Sequence, residues 1–176
     1  MIIGEKVHLR ALTESDSAAY KSWINDRKLV QYNATYTPIS DINHNEWFSS
    51  VTRNADIAIF SIIEATANSL IGSCSLRHID HLHKNAELQI RIGKATKRGA
   101  GLGTEAVFLL LTHAFNDLNL NRVYLNVFSD NQRAIHAYKK SGMTIEGELR
   151  QACFINGAYQ NVIVMSILRD EFITKK

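Results

Sequence analysis

The stretch from Ile92 to Thr104, IGKATKRGAGLGT, constrains the fold of this chain more than any other. Glycines alternate at Gly99, Gly101 and Gly103, Lys97 and Arg98 stand directly before them, and an apolar, helix-like run follows. Ahead of the loop, Ala86, Leu88, Ile90 and Ile92 alternate with Glu87, Gln89 and Arg91, the period-two signature of a strand with one apolar and one polar face. A strand, a glycine turn and a helix in that order put bare backbone N–H groups at a helix N-terminus. Glycine has no Cβ to hold an anion away, and the helix dipole favours negative charge there. The loop reads as a phosphate grip, with a plain flexible strand-to-helix turn as the alternative.

The rest of the chain supplies the frame for that unit. Val7 to Leu12 reads as a strand, and Thr13 with Asp16 three residues on resembles a capping box that opens a helix through Ile24. NDRKLVQYNATYTP, ending at the only proline, Pro38, reads as an irregular loop, and a second helix starts at Ser40 with Trp47, Phe48 and Val51 at helical spacing. Ile57–Ile63 and Leu70–Ile79 form a hairpin through ATANS. Past the glycine loop, Glu105 to Asn116 is a helix and Val123 to Phe128 a short strand. Ser129 or Asp130 then caps a helix that reaches Ser141 and stops at Gly142. Asn156-Gly157 between apolar runs is the strongest short hairpin signal in the chain. The expected order is βααββββαβαββ, an α+β fold with a mixed, mostly antiparallel twisted sheet flanked by helices, and residues 1–176 read as a single domain.

Several function classes drop out. A formal net charge of +3 is too small to imply nucleic acid. No run approaches the ~18 apolar residues of a membrane span, and MIIGEKVHLR lacks the apolar core of a leader, so a cytoplasmic protein with neither a membrane nor a nucleic-acid partner is expected. Cys74 and Cys153 have no CxxC spacing and read as idle thiols. His78, Asp80, His81 and His83 crowd one turn, where histidines more often solvate a hairpin than hold a metal, so no metal is expected. Gly101-Leu-Gly103-Thr-Glu-Ala106 fits a loose dinucleotide fingerprint, but it lies past mid-chain and is followed mostly by hairpin strands; the P-loop pattern fails outright. Asn131, Ala134 and Tyr138, spaced i, i+3, i+7, share one helix face on which an elongated ligand would lie against the alanine between an amide and a phenol. The alternative is that Tyr138 packs, with its hydroxyl wet.

Arg98-Gly-Ala-Gly101-Leu-Gly103 resembles the Q/R-x-x-G-x-G/A acyl-CoA loop of the GNAT N-acetyltransferases. Asn131-Gln-Arg-Ala134-Ile-His-Ala-Tyr138-Lys-Lys-Ser-Gly142-Met resembles their N-x-x-A-x-x-x-Y-x-x-x-G-F motif, with Met143 for the usual phenylalanine. VHLRALTESD, WIND, EWF and EGELRQACFINGAYQNVIVMSIL are similar to the RimJ/RimL-like branch, and the C-terminal part, including FINGAYQ, also to spermidine N-acetyltransferases.

The resemblance implies acetyl-CoA as acetyl donor and a division of labour around it. The backbone of Ile90, Arg91 and Ile92 would pair with the pantetheine arm. Amides of Gly99, Ala100, Gly101, Leu102, Gly103 and Thr104 would hold the pyrophosphate, and Lys97 or Arg98 would add positive charge. Asn131 would hydrogen-bond the cofactor's arm beside Ala134, and Tyr138 would protonate the departing thiolate. Glu87, on the polar strand face, is the candidate base, directly or through water, against a plain salt bridge to Arg91 or Arg77.

On the acceptor side, Tyr32 and Tyr36 are the candidates, while Trp23, Trp47 and Phe48 read as core. A polycation wants clustered carboxylates, and Asn25 to His44 offers only Asp26 and Asp41. An amino sugar, another small amine or a protein N-terminal amine therefore ranks ahead of a polyamine. A CoA-binding module without turnover is the non-enzymatic reading, against which Tyr138 speaks. The branch commonly dimerises, which implies a homodimer.

Overall fold

The computed structural model describes residues 1–32 and 34–173. They form β1 (Ile2–Ile3), β2 (Val7–Arg10), α1 (Ser17–Ile24), α2 (Arg27–Val30), α3 (Asp41–Val51), β3 (Ala58–Glu64), β4 (Ser69–Asp80), β5 (Asn85–Ile92), α4 (Leu102–Asn116), β6 (Arg122–Phe128), α5 (Gln132–Lys140), β7 (Thr144–Ile155), β8 (Ala158–Leu168) and α6 (Arg169–Ile173). The strands join in one eight-stranded sheet of order β1-β2-β3-β4-β5-β6-β8-β7. Every neighbouring pair is antiparallel except β5 and β6.

The α+β class is as expected, but the element order is not. The expected order put four strands between the second helix and the glycine loop; the structure has three there, β3, β4 and β5, and the remaining strand is β1 at the N-terminus, paired to β2. Two residues carry too little periodicity to be read as a strand, and β1 is held by its partner. The loop before Pro38 also contains one helical turn, α2, which Asp26 starts by accepting from the Lys28 N–H at 2.9 Å.

Local chemistry explains the other boundaries. The Thr13–Asp16 capping box forms and closes the 3-10 turn that leads into α1. Ser40 caps α3 through the Asn43 N–H. In the β7–β8 turn Ile155 pairs with Ala158, and both residues between them, Asn156 and Gly157, have positive φ (51° and 84°), which a two-residue hairpin of this twist demands. Gly142, at φ 94°, stops α5 as expected. The α5 cap is neither Ser129 nor Asp130. Those residues turn the chain out of β6, with the Asn131 N–H bonded to the Phe128 carbonyl at 2.9 Å, so Asn131 takes the cap position and accepts from the Ala134 N–H at 3.3 Å.

One sheet face packs on α4, α5 and α6 around Leu110, Leu111, Phe115, Leu125 and Met165. The other carries a smaller aromatic cluster of Tyr20, Trp23 and Leu29 with Trp47 and Phe48 against it, so these rings are core, as expected. The Trp23 indole lies so close over Gly93 that a side chain there would run into its ring.

A polar pin fastens α1 to the sheet. Buried Asp16 takes two hydrogen bonds of 2.7 Å from Arg10, one of 3.0 Å from the Thr13 N–H and one of 2.7 Å from the Ser61 hydroxyl. Burial by itself would raise its pKa; the Arg10 guanidinium and the other donors outweigh burial and hold the carboxyl at about 2. A carboxyl whose folded pKa lies below its unfolded value stabilises the fold fully above about pH 4 and loses that stabilisation as the pH falls toward 2. Asp16→Ala should therefore cost about 3 kcal/mol at pH 7, since Arg10 and Ser61 lose their acceptor. Denaturant midpoints for wild type and variant should converge between about pH 4 and pH 2.

Candidate active site

The cleft comes from a fault in the sheet. β5 and β6 pair over Asn85–Arg122, Ala86–Val123 and Glu87–Tyr124 only. Beyond that rung they part, although β5 runs on to Ile92 and β6 to Phe128. Their outer edges stay paired, β5 to β4 as far as Ile92–Gly72 and β6 to β8 as far as Phe128–Val162. The inner edges therefore open into a V whose walls carry main-chain groups that no strand pairs, and such groups seek a partner. A cavity of about 270 Å³ lies along this opening, between β5, the glycine loop, α4, α5 and the turn at Tyr32.

At the wide end stands the N-terminus of α4. Gly99 and Gly101 hold φ of 88° and 80°, and Gly101, the N-cap, makes no side-chain capping bond. The first amides of a 15-residue helix thus face the cleft without a capping side chain, which suits a phosphate. α4 starts at Leu102 rather than at Glu105, so the last glycine of the motif, Gly103, belongs to the helix. Unpaired strand edge at one end and uncapped helix amides at the other are what an acyl-CoA would need, so the residues fit that ligand.

Of the residues expected around a CoA, Ile90, Arg91, Ile92, Lys97, Arg98, Gly99, Gly101, Gly103, Thr104, Asn131, Ala134 and Tyr138 all line this cavity, and so does Tyr32 from the acceptor set. Four expected site residues do not line it. Ala100 is exposed beside the loop, and the Leu102 side chain is buried in the core, which leaves each only its backbone to offer. Tyr36 donates its hydroxyl to the Asn25 carbonyl at 3.3 Å and lies under the Arg27 guanidinium, 5.6 Å from its ring centre; it braces the α1–α2 region. Glu87 sits at the vertex of the V, on its last paired rung, outside the cavity wall.

Charges at the site are not all available to a ligand. The Lys97 ammonium is paired to Glu64 at 2.8 Å, and the Arg98 guanidinium caps the Ile92 carbonyl at 3.2 and 3.3 Å. Burial and the neighbouring Arg133 push the Arg98 pKa down. Arg133, His136 and Lys140 also line the cleft and were not expected. Their spacing, i, i+3, i+7 along α5, is a basic stripe beside the Asn131–Ala134–Tyr138 stripe and was legible in the sequence as such.

Glu87 does not pair with Arg91 or Arg77. Its carboxylate contacts the His78 Nδ1 at 3.1 Å and accepts from the Asn126 amide at 3.3 Å, while Arg77 donates to Gln89 at 3.1 Å. His78 reaches Glu87 from a β-bulge, at a φ of 50°. Its neighbours take other acids, His81 with Asp56 at 3.7 Å and His83 with Asp80 at 2.8 Å, and no metal-holding group of three or more side chains occurs among the described residues. Tyr138 is 9% exposed, and burial pushes its phenol up to about 12. The Asn131 carboxamide oxygen is committed to its cap, so its NH2 end is what it offers a ligand. The Arg91 Nε is enclosed without a hydrogen-bond partner, and burial pushes the guanidinium's pKa down.

A family model described as the acetyltransferase (GNAT) domain matches residues 6–144. The chain belongs to the GNAT acetyltransferase family. Spermidine N(1)-acetyltransferase of Vibrio cholerae is 29% identical over 175 residues, 98% of this chain and 99% of that protein. Its counterpart in Escherichia coli K12 is 41% identical over 104 residues, 59% of this chain and 55% of that protein, so the match spans about half of that relative. Among solved structures, the spermidine N-acetyltransferase from V. cholerae in complex with CoA and spermine superposes with a TM-score of 0.87 at 30% identity, covering 96% of this chain and 98% of that one. These neighbours share the GNAT fold, and acetyl-CoA is the donor the family's cleft accommodates. No helix among the described residues is long and apolar enough to cross a membrane.

Proposed function

We propose that this GNAT chain moves the acetyl group of acetyl-CoA to a primary amine carried by a small molecule on a flexible chain. The observation that supports this most is the parting of β5 and β6 directly above Glu87, with Tyr138 on the α5 wall and uncapped α4 amides at the wide end. Glu87, oriented by His78 and Asn126, takes the ammonium proton directly or through water. The freed lone pair attacks the thioester carbonyl, the C–S bond breaks, the Tyr138 hydroxyl gives its proton to the leaving sulfur, and the second proton shed by the acylated nitrogen returns to the tyrosinate. Asn131, through its NH2 end, and the strand edge at Ile90–Ile92 hold the arm that carries the thioester.

The acceptor ranking drawn from the sequence is reversed. Relatives that act on spermidine support a polyamine over an amino sugar or a protein N-terminal amine. The RimJ/RimL-like branch has thinner support, from YdaF of Bacillus subtilis, named as a candidate ribosomal N-acetyltransferase and 32% identical over 108 residues. The ranking rested on Asp26 and Asp41 being too few for a polycation. Both serve the scaffold instead, Asp26 as the α2 cap and Asp41 as the partner of Lys21, so that segment does not decide the acceptor. On the same footing the protein is proposed to be cytoplasmic and homodimeric, its long outer strand β7 exposing Ile145, Leu149 and Phe154 as contact surface.

Thiol release from acetyl-CoA across an amine panel tests the proposal. Spermidine and other aliphatic primary amines are expected to support it above the hydrolytic background. CoA binding without release for any amine would leave a CoA-binding module in place of an enzyme.

A further inference from the structure

We infer that Arg91 is an anion-recognition residue on the acceptor side of the cleft, and that the preferred acceptor carries a carboxylate or phosphate at the far end of the chain that bears its primary amine. The inference rests on the acetyl-transfer reading above but replaces its polyamine acceptor, which the relatives alone support, with an anion-bearing amine.

Its first support is that the Arg91 Nε has no partner among the described residues. Arg91 lines the cleft, its Nε is buried without a hydrogen-bond partner, and no carboxylate among the described residues lies within ion-pair distance of it. The position facing it across the strand pair on β4 is Ser73, which carries no charge. A half-buried guanidinium with an enclosed Nε that has no acceptor is costly, and an oxyanion that binds it bidentately relieves the cost. Two neighbouring cations of the cleft are already engaged. Lys97 is paired with Glu64, and Arg98 caps the Ile92 carbonyl.

The second support is the side from which an anion would come. Along β5 the side chains alternate, so Ile90 and Ile92 pack on the α4 core while Glu87, Gln89 and Arg91 share the opposite face. A CoA held as proposed keeps its phosphates at the α4 N-terminus, near Arg98 and Arg133. An anion that meets the Arg91 side chain would then come from the acceptor, within the cavity that Leu29 and Tyr32 also line. Glu87 and Arg91 lie four residues apart on one face, about 13 Å between Cα atoms at the usual strand rise. An amine near Glu87 and an anion near Arg91 thus define an extended, flexible zwitterion. A polyamine would instead bring a second ammonium toward the guanidinium.

The test uses the full chain, with and without CoA, and matched straight-chain amines. These are an ω-amino acid, its primary amide, the ω-aminoalkyl phosphate, the diamine of equal length, and spermidine. Wild type should favour the carboxylate or phosphate amine over the amide and the diamine by at least tenfold in kcat/KM, mostly through KM. Arg91→Leu should remove that ratio, and Arg91→Lys should restore part of it. Calorimetry on the CoA complex should show the anionic amines binding wild type at least tenfold more tightly than Arg91→Leu, a readout that holds even if no amine is acetylated. Equal binding of the amino acid and its amide by wild type overturns the inference while leaving acetyl transfer intact. So does an Arg91→Leu loss in CoA affinity as large as the loss in amine affinity, which would assign the guanidinium to the cofactor. Tight binding of anionic amines without turnover supports the Arg91 site and removes the acetyl-transfer reading instead.

Discussion

Tyr138→Phe is expected to lower kcat by about a hundredfold or more while CoA affinity stays within a few-fold of wild type. A general acid contributes some 10²–10⁴ to rate, and a hundredfold is about 2.7 kcal/mol of barrier. The phenol sits at about 12 because it is buried, and a cysteine-like thiol in water sits near 8.5, so proton transfer in the resting cleft would be uphill by roughly 5 kcal/mol. Burial closes part of that gap from the other side. It raises a thiol too, as it does that of Cys74 in the core, so a thiolate released into the same dry cleft becomes a stronger base. A phenol with a folded pKa of about 12 also stays protonated across the neutral range. The loss in the variant should accordingly be uniform from about pH 6 to pH 9 rather than a shifted limb of the pH–rate profile. Phenylalanine keeps a ring in the buried cluster to which Ile135 and Met143 also belong, so folding should survive. Single-turnover rates with a reactive amine check this, and wild-type rates in the variant would remove Tyr138 from the chemistry.

How much of this was readable in advance varies with the kind of interaction. The strand, glycine turn and helix around Gly101 were legible because glycine at left-handed φ, strand alternation and helix periodicity are local properties. The Asn156-Gly157 hairpin was legible for the same reason. The Asn131–Ala134–Tyr138 face was legible as spacing, but Asn131 serving as the cap of its own helix was not, because that depends on how β6 ends. Glu87 was found as a polar-face carboxylate. Its true partners, His78 and Asn126, come from two other strands and a bulge, a tertiary arrangement that no local pattern encodes. Tyr36 failed for the opposite reason, since an aromatic in a loop near a cleft looks the same in sequence whether it faces a ligand or a backbone carbonyl. The unpaired Arg91 was likewise invisible, because being unpaired is a property of everything around a residue.

Gly101→Val should weaken CoA binding by tenfold to a hundredfold with a smaller loss of stability. The residue holds φ 80° and ψ −1°, a left-handed conformation that costs an ordinary L-residue about 1–2 kcal/mol and a β-branched one more. Space in the protein is not the limit, because a Cβ there would meet only the Lys6 ammonium at 3.5 Å. The valine can therefore be accommodated if the loop relaxes toward negative φ, and that relaxation turns the uncapped amides of Leu102, Gly103 and Thr104 away from the line along which a pyrophosphate would bind. Gly103 is the control. Its φ is not left-handed, and an added Cβ would touch Ile92 at 3.6 Å, an ordinary contact. Gly103→Ala should accordingly retain most of the affinity that Gly101→Val loses, and Gly101→Ala should fall between them. Fluorescence or calorimetric titration with CoA checks the order. If Gly101→Val bound CoA as wild type does, the phosphates would have to be held by side chains such as Arg98, Arg133 and Lys140 rather than by the loop.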